Sequence, residues 1–161
     1  MAALSVADGL VYGQCYRRKR FVDFRSFLET VVVVEAQKRG VQTIALILDN
    51  GSTHAPKPLP RWIEELARIS ERKLTVQLCW LPVNASWLDQ IEIWFSVLQR
   101  KLLQPNHFTS LDGLEQAILG FITRYDQTAR PLKWSYTVEQ LEHKLAARLG
   151  GSVKPKNEHA S

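Results

Sequence analysis

Apolar positions along the chain change period several times, and each change marks an element. Ala2-Ala3-Leu4-Ser5-Val6 and Leu10-Val11-Tyr12-Gly13-Gln14-Cys15-Tyr16 read as short strands, with Ala7-Asp8-Gly9 as a tight turn between them. Asp-Gly between two such runs is a strong hairpin signal, because both residues tolerate the positive φ these turns need. From Arg20 to Lys38, the residues Phe21, Phe24, Phe27, Leu28, Val31 and Val32 recur at helical spacing and make one apolar face. The β-branched run Val31–Val34 opposes a helix, but the length of the pattern favours one, and Gly40 is placed to end it.

Thr43-Ile44-Ala45-Leu46-Ile47-Leu48 is a continuous apolar run, the kind found in strands covered on both faces. The loop Asp49-Asn50-Gly51-Ser52-Thr53-His54 follows, at the carboxyl end of that strand, where open α/β sheets place their ligands. Pro56, Pro58 and Pro60 make a stiff connection to a helix over Arg61 to Arg72, with Trp62, Ile63, Leu66 and Ile69 on its apolar side. Leu74 to Leu81 is the next strand. Pro82 breaks it, and Ser86 is a good N-cap for a helix reaching about Leu103. Trp87, Leu88, Ile91, Trp94, Phe95, Leu98 and Leu102 form its stripe. A further helix from Ser110 to about Tyr125 carries Leu111, Leu114, Ile118, Phe121 and Ile122, and a last one spans Thr137 to Leu149.

Hairpin, helix, strand, helix, strand and then several helices predict an α/β fold, a mixed sheet with flanking helices. The strand-helix-strand segment fits a right-handed parallel crossover. One domain over residues 1–149 is expected, with 150–161 as a disordered tail after Gly150-Gly151.

Composition changes this picture little. Cys15 and Cys79 are the only cysteines and have no metal-ligand spacing, so both are expected to be buried reduced thiols. No apolar run approaches bilayer length, and the first residues lack the regions of a signal peptide, so a cytoplasmic protein is expected. The net charge of +5 matters more for where it clusters. Arg17-Arg18-Lys19-Arg20, Arg72-Lys73 and Arg100-Lys101 are the basic groups; each reads either as solvated surface or as a set of phosphate contacts.

Asp49 has two readings of equal weight, a turn-former in Asp-Asn-Gly and a ligand at a strand end. Glu92 lies at the margin of its helix's apolar stripe. Its neighbours at three and four positions are Leu88, Asp89, Phe95 and Ser96, none a cation. A carboxylate so placed either reaches water or meets something cationic, a metal ion or an arginine from another element. Asp89 is better explained by Ser86-x-x-Asp89, a capping-box pattern, and is kept as a supporting residue. His54 is either polar surface or a contact for a scissile phosphate or metal-bound water.

Asp49-Asn50-Gly51-Ser52-Thr53-His54, followed by Leu81-Pro82-Val83-Asn84-Ala85-Ser86-Trp87-Leu88-Asp89-Gln90-Ile91-Glu92-Ile93-Trp94-Phe95, resembles the catalytic domain of IS630-type transposases, within the Tc1/mariner superfamily. The order of Ala2–Gly9 and of the helix after Phe108-Thr109-Ser110-Leu111 is similar too, so the resemblance covers nearly the whole chain. It implies an RNase H-like fold whose three acids bind two Mg²⁺, with Mn²⁺ as substitute. Asp49 would match the second acid and Glu92 the third, with Asn50, His54 and Asp89 around them. Hard cations need oxygen ligands, and attack on a phosphodiester needs its charge neutralised. The implied partners are transposon ends and target DNA, held by Arg17, Arg18, Lys19, Arg20, Arg100 and Lys101. A second copy of the chain or a complementing amino-terminal segment would join them.

The departures are specific. The family's first acid stands on a strand ahead of the hairpin; the chain starts after it, and Asp8 sits in the turn. The amino-terminal helix-turn-helix region has no counterpart, the Asp49–Glu92 separation is long for the family, and Asp89 replaces a common Asn. The resemblance thus predicts a carboxyl-terminal part of a transposase that binds Mg²⁺ weakly and cleaves little or no DNA alone. Two other classes stand beside it. One is a non-catalytic, DNA-binding or regulatory remnant. The other is an unrelated α/β hydrolase, disfavoured because neither a nucleophile elbow nor a P-loop occurs.

Overall fold

A computed structural model describes residues 1–54, 57–69, 74–81 and 90–131, without the side chains of 67–69. The expected helices over Thr137 to Leu149 and around Ser86, and the tail 150–161, lie outside the described residues. So do Asp89 and the Arg72-Lys73 pair.

The hairpin forms as the pattern predicts, but shorter, as β1 (Ala2–Leu4) and β2 (Val11–Gly13), antiparallel with Ala3 opposite Tyr12. Gly9 takes φ 78° in the turn, and an added Cβ would stand 2.1 Å from the Arg130 carbonyl oxygen. Only glycine suits both the backbone and that approach.

The long helix runs as expected, as α1 (Phe21–Phe27), a π-helical stretch Leu28–Val33, and α2 (Val34–Lys38). Asp23 anchors its start, accepting from the Arg20 backbone N–H at 3.0 Å and from the Arg20 guanidinium at 2.9 and 3.0 Å. The valine run thus stays helical but in the wider π form. Gly40, at φ 68°, ends it.

β3 (Thr43–Leu48), α3 (Pro58–Ile69) and β4 (Thr75–Trp80) make the expected parallel unit, with Leu48 opposite Trp80. Pro58 and Pro60 lie inside the first turn of α3 rather than ahead of it. There the missing N–H costs nothing and the fixed φ suits a helix.

α4 (Gln90–Leu98) continues as a π-helical stretch Gln99–Leu103, and α5 (Leu111–Asp126) follows. Ser110 caps α5, its Oγ accepting from Gly113 N at 3.1 Å.

Two larger apolar clusters organise these elements, beside a smaller one of Val33, Ala36 and Leu74. Phe24, Phe27, Leu28, Leu48, Leu59, Trp62 and Ile63 form the first; Val11, Trp94, Leu98, Leu102 and Ile122 form the second. Each fully buried side chain of this size stabilises by about 1.5–3 kcal/mol. β1 stands between the clusters, Met1 and Ala3 packing on the first, Ala2 and Leu4 on the second. That division is the two-residue alternation of a strand.

Several expectations need correction. β3 is covered on one face only: Ile44, Leu46 and Leu48 turn inward, while Thr43, Ala45 and Ile47 are exposed, Ile47 by 47%. An apolar run does not reveal whether a second layer covers it. Cys79, on the same open face of β4, is exposed, and Cys15 is half-buried, so neither is the buried thiol expected. Phe95, expected in the buried stripe of its helix, is exposed, and Leu111 is exposed by 69%. Leu111 is the first residue of its helix, where no preceding turn exists to pack it. Among the described residues the strands pair as β1-β2 and β3-β4. The mixed α/β class, helices over small sheets, is as expected.

Candidate functional site

Asp49 follows β3, and its position is fixed from two directions. Leu81 N donates to Leu48 O at 2.8 Å, extending the parallel ladder to the loop. Asn50 Nδ2 then donates to Leu81 O at 2.6 Å, tying the loop to the end of β4. Asn50 is therefore a brace between two strand ends, although it remains exposed.

The loop closes on the Asp49 side chain. Asp49 Oδ1 accepts from Gly51 N at 2.9 Å, a local turn built by the carboxylate itself. The same oxygen lies 2.6 Å from His54 Nδ1, which is also 3.2 Å from the Asp49 carbonyl oxygen. His54 N donates to Gly51 O at 3.0 Å. A proton on Nδ1 serves both contacts and leaves Nε2 as the free acceptor. The ring stacks at a tilt on Phe24, centroids 4.7 Å apart. Phe24 reads in the sequence as core alone; only its place at the start of the helix after β2 hints at this second contact.

Asp49 Oδ2 has no partner among the described residues, and the side chain is half-buried. One oxygen is thus spent on holding the loop, and the other is available to a cation. Glu92, on the first described turn of α4, is exposed and forms no ion pair among the described residues. Its backbone oxygen accepts from Ser96 Oγ at 2.9 Å. α4 belongs to the second cluster and packs on β1, whereas Asp49 leaves the first cluster. Among the described residues no three His, Cys, Asp or Glu side chains converge as a metal cage. The structure therefore brings Asp49, Gly51 and His54 together and leaves Glu92 outside that hydrogen-bonded group. Carboxylate oxygens of this kind suit a hard divalent ion, but no contact joins Asp49 and Glu92 among the described residues.

Arg17, Arg18, Lys19 and Arg20 are all exposed between β2 and α1, and Arg100 and Lys101 are exposed after α4. Arg20 is already committed to Asp23. No described helix is long and apolar enough to cross a membrane.

No curated protein and no solved structure matches the chain. The family model for DDE superfamily endonucleases matches residues 1–115. That span holds the hairpin, the loop of Asp49 and His54, Glu92 and both exposed basic groups. The chain belongs to the DDE superfamily of endonucleases.

Proposed function

We propose that the chain is the carboxyl-terminal part of an IS630-type transposase catalytic domain, whose chemistry is DNA strand cleavage and transfer during transposition. The observation that carries this reading is Asp49 at the end of β3, with Oδ1 held by Gly51 and His54 and Oδ2 without a partner among the described residues. DDE endonucleases depend on divalent metal. In this chain Asp49 and Glu92 would hold Mg²⁺, or Mn²⁺ in its place, which when bound activates an attacking oxygen and neutralises phosphate charge. Asp49 presents one oxygen without rearranging, because its loop is already closed. His54, oriented through Nδ1, offers Nε2 as an acceptor to a water, or, when that nitrogen carries a proton as well, as a donor to a phosphate oxygen. Asn50 holds the loop to β4, and Asp89 is kept as a supporting residue. Arg17, Arg18, Lys19, Arg20, Arg100 and Lys101 neutralise the DNA backbone. The setting is prokaryotic cytoplasm, at the nucleoid when DNA is bound.

Among the described residues no third acid joins Asp49 and Glu92, and on this reading the chain alone cleaves little or no DNA. The second reading, a DNA-binding remnant without chemistry, draws on the absence of a three-ligand group among the described residues. End-labelled DNA incubated with Mn²⁺ separates them. The chain is assayed alone and with its upstream coding sequence restored in frame. Cleavage only in the restored form supports the enzyme. Binding without cleavage in both forms supports the remnant.

A further inference from the structure

Hydrogen bonds hold the backbone of the Asp49 loop, but among the described residues they hold one corner of the His54 ring. His54 N donates to Gly51 O at 3.0 Å, Gly51 N donates to Asp49 Oδ1 at 2.9 Å, and Asn50 Nδ2 reaches Leu81 O at 2.6 Å. On the ring, Nδ1 lies 2.6 Å from Asp49 Oδ1 and 3.2 Å from the Asp49 carbonyl oxygen. Contacts at one nitrogen leave the imidazole able to swing about that corner. Its χ2 torsion joins an sp³ to an sp² carbon and has no sharp staggered well to stop the motion. The side chain keeps 22% exposure, so solvent does not stop it either.

Phe24 supplies the stop. Its ring lies against the imidazole with centroids 4.7 Å apart and planes inclined at 51°, within the range of attractive aromatic contacts. Phe24 itself has nowhere to go. It is buried in the first cluster with Phe27, Leu28 and Leu48, and its backbone N donates to Arg20 O at 3.0 Å in the first turn of α1. Leu48 directly precedes Asp49. One core therefore anchors both the base of the loop and the wall on which its histidine rests.

We propose that Phe24 is a positioning residue of the candidate site: its ring sets the plane of the His54 imidazole, keeping Nδ1 on Asp49 and turning Nε2 outward. Phe24 touches neither metal nor DNA and acts through His54 alone. A neutral histidine in water prefers its proton on Nε2, so a proton on Nδ1 stays there only while the ring is held against its two acceptors. The use made of this position rests on reading Asp49 as a metal ligand. Groups that hydrogen-bond a ligand from behind contribute about 10–100-fold to metal affinity or activity, and His54, braced by Phe24, stands in that relation to Asp49.

The nitrogen chemical shifts of the His54 ring, recorded on the full chain at a pH where the imidazole is neutral, report which nitrogen carries the proton. They respond little to the loss of a neighbouring ring current. The parent shows the proton on Nδ1. Phe24→Leu fills the core without a flat face, and its His54 becomes a mixture in which Nε2 carries much of the proton. Phe27→Leu is the matched control, the same change in the same cluster. It lowers the melting temperature as Phe24→Leu does and keeps the parent tautomer. Phe24→Tyr restores the face and the tautomer, and Phe24→Met takes the place of the Leu variant if that one does not fold. An unchanged tautomer in Phe24→Leu, or an equal loss in Phe27→Leu, overturns the proposal. Mn²⁺ titration of the same chains separates it from the functional reading. Phe24→Leu weakens binding about threefold in the parent and adds nothing in a His54→Ala background. Additive losses overturn the route through His54. If Asp49→Asn leaves Mn²⁺ binding unchanged, the metal reading falls, and the tautomer result alone decides whether Phe24 sets the ring.

Discussion

At Asp49, turn-former and metal ligand are compatible roles, because a carboxylate has two oxygens. Oδ1 builds the turn and orients His54, and Oδ2 has no partner among the described residues. Gly51 is the residue that permits this closeness. A Cβ there would stand 2.9 Å from Asp49 Oδ1, nearer than such contacts occur, and the carboxylate would have to move. Gly51→Ala removes no ligand and leaves both clusters untouched, so stability changes by less than about 1 kcal/mol. Mn²⁺ affinity measured by calorimetry on the chain restored upstream falls about tenfold, a loss of ~1.4 kcal/mol. Unchanged affinity would mean that Asp49 holds no metal.

At the scale of elements, one arginine fastens the hairpin to the end of the long helix. Asp8 Oδ1 accepts from Leu10 N at 3.1 Å and closes the turn. Its other oxygen bonds Arg39 Nη2, while Arg39 Nη1 donates to the Tyr12 hydroxyl at 2.9 Å. Burial alone would raise the Asp8 carboxyl, but hydrogen bonds from Ser5, Leu10 N and Arg39 outweigh it and hold the pKa below the ordinary value. A lowered folded-state pKa means the clamp contributes above the unfolded value, near ~3.9, and is lost as pH falls through the folded one. Asp8→Asn keeps the turn and drops the charge. Its melting temperature lies below the parent's at neutral pH, and the difference closes as pH is taken from about 5 toward 3. A difference constant with pH would assign Asp8 to turn geometry alone.

The same hairpin shows what a sequence makes legible. Asp8-Gly9 is local chemistry and announces the turn, while the Asp8–Arg39 contact joins positions 31 apart and has no local signature. Local pattern likewise placed the helix from Phe21, the strand ending at Leu48 and the loop from Asp49 to His54. Coverage of β3, exposure of Cys79 and the contact of Phe24 with His54 depend on what packs where, which no period encodes. Val31–Val34 shows propensity overridden: the run stays helical because Val33 is buried and Val31 and Val32 pack on the first cluster.

At the scale of the molecule, charge is the property most open to measurement. The net charge is +5, and the exposed basic groups after β2 and after α4 are the footprint offered to a polyanion. They are not equivalent. Arg20 spends its guanidinium on Asp23 through two hydrogen bonds, whereas Arg17 and Arg18 have no ion pair among the described residues. Binding of duplex DNA by such groups releases counterions, so the logarithm of affinity falls linearly with the logarithm of salt, by about 0.9 in slope for each phosphate contact. Joint replacement of Arg17 and Arg18 by Ala weakens binding in fluorescence anisotropy and makes the slope shallower by up to about 1.8. Arg20→Ala has a smaller effect on the slope, since it removes a charge already half-neutralised, and it frays the start of α1 instead. Equal slopes for the parent and the Arg17/Arg18 variant would place the DNA on another face. A larger change for Arg20→Ala than for the pair would mean that Asp23 yields its partner when phosphate arrives.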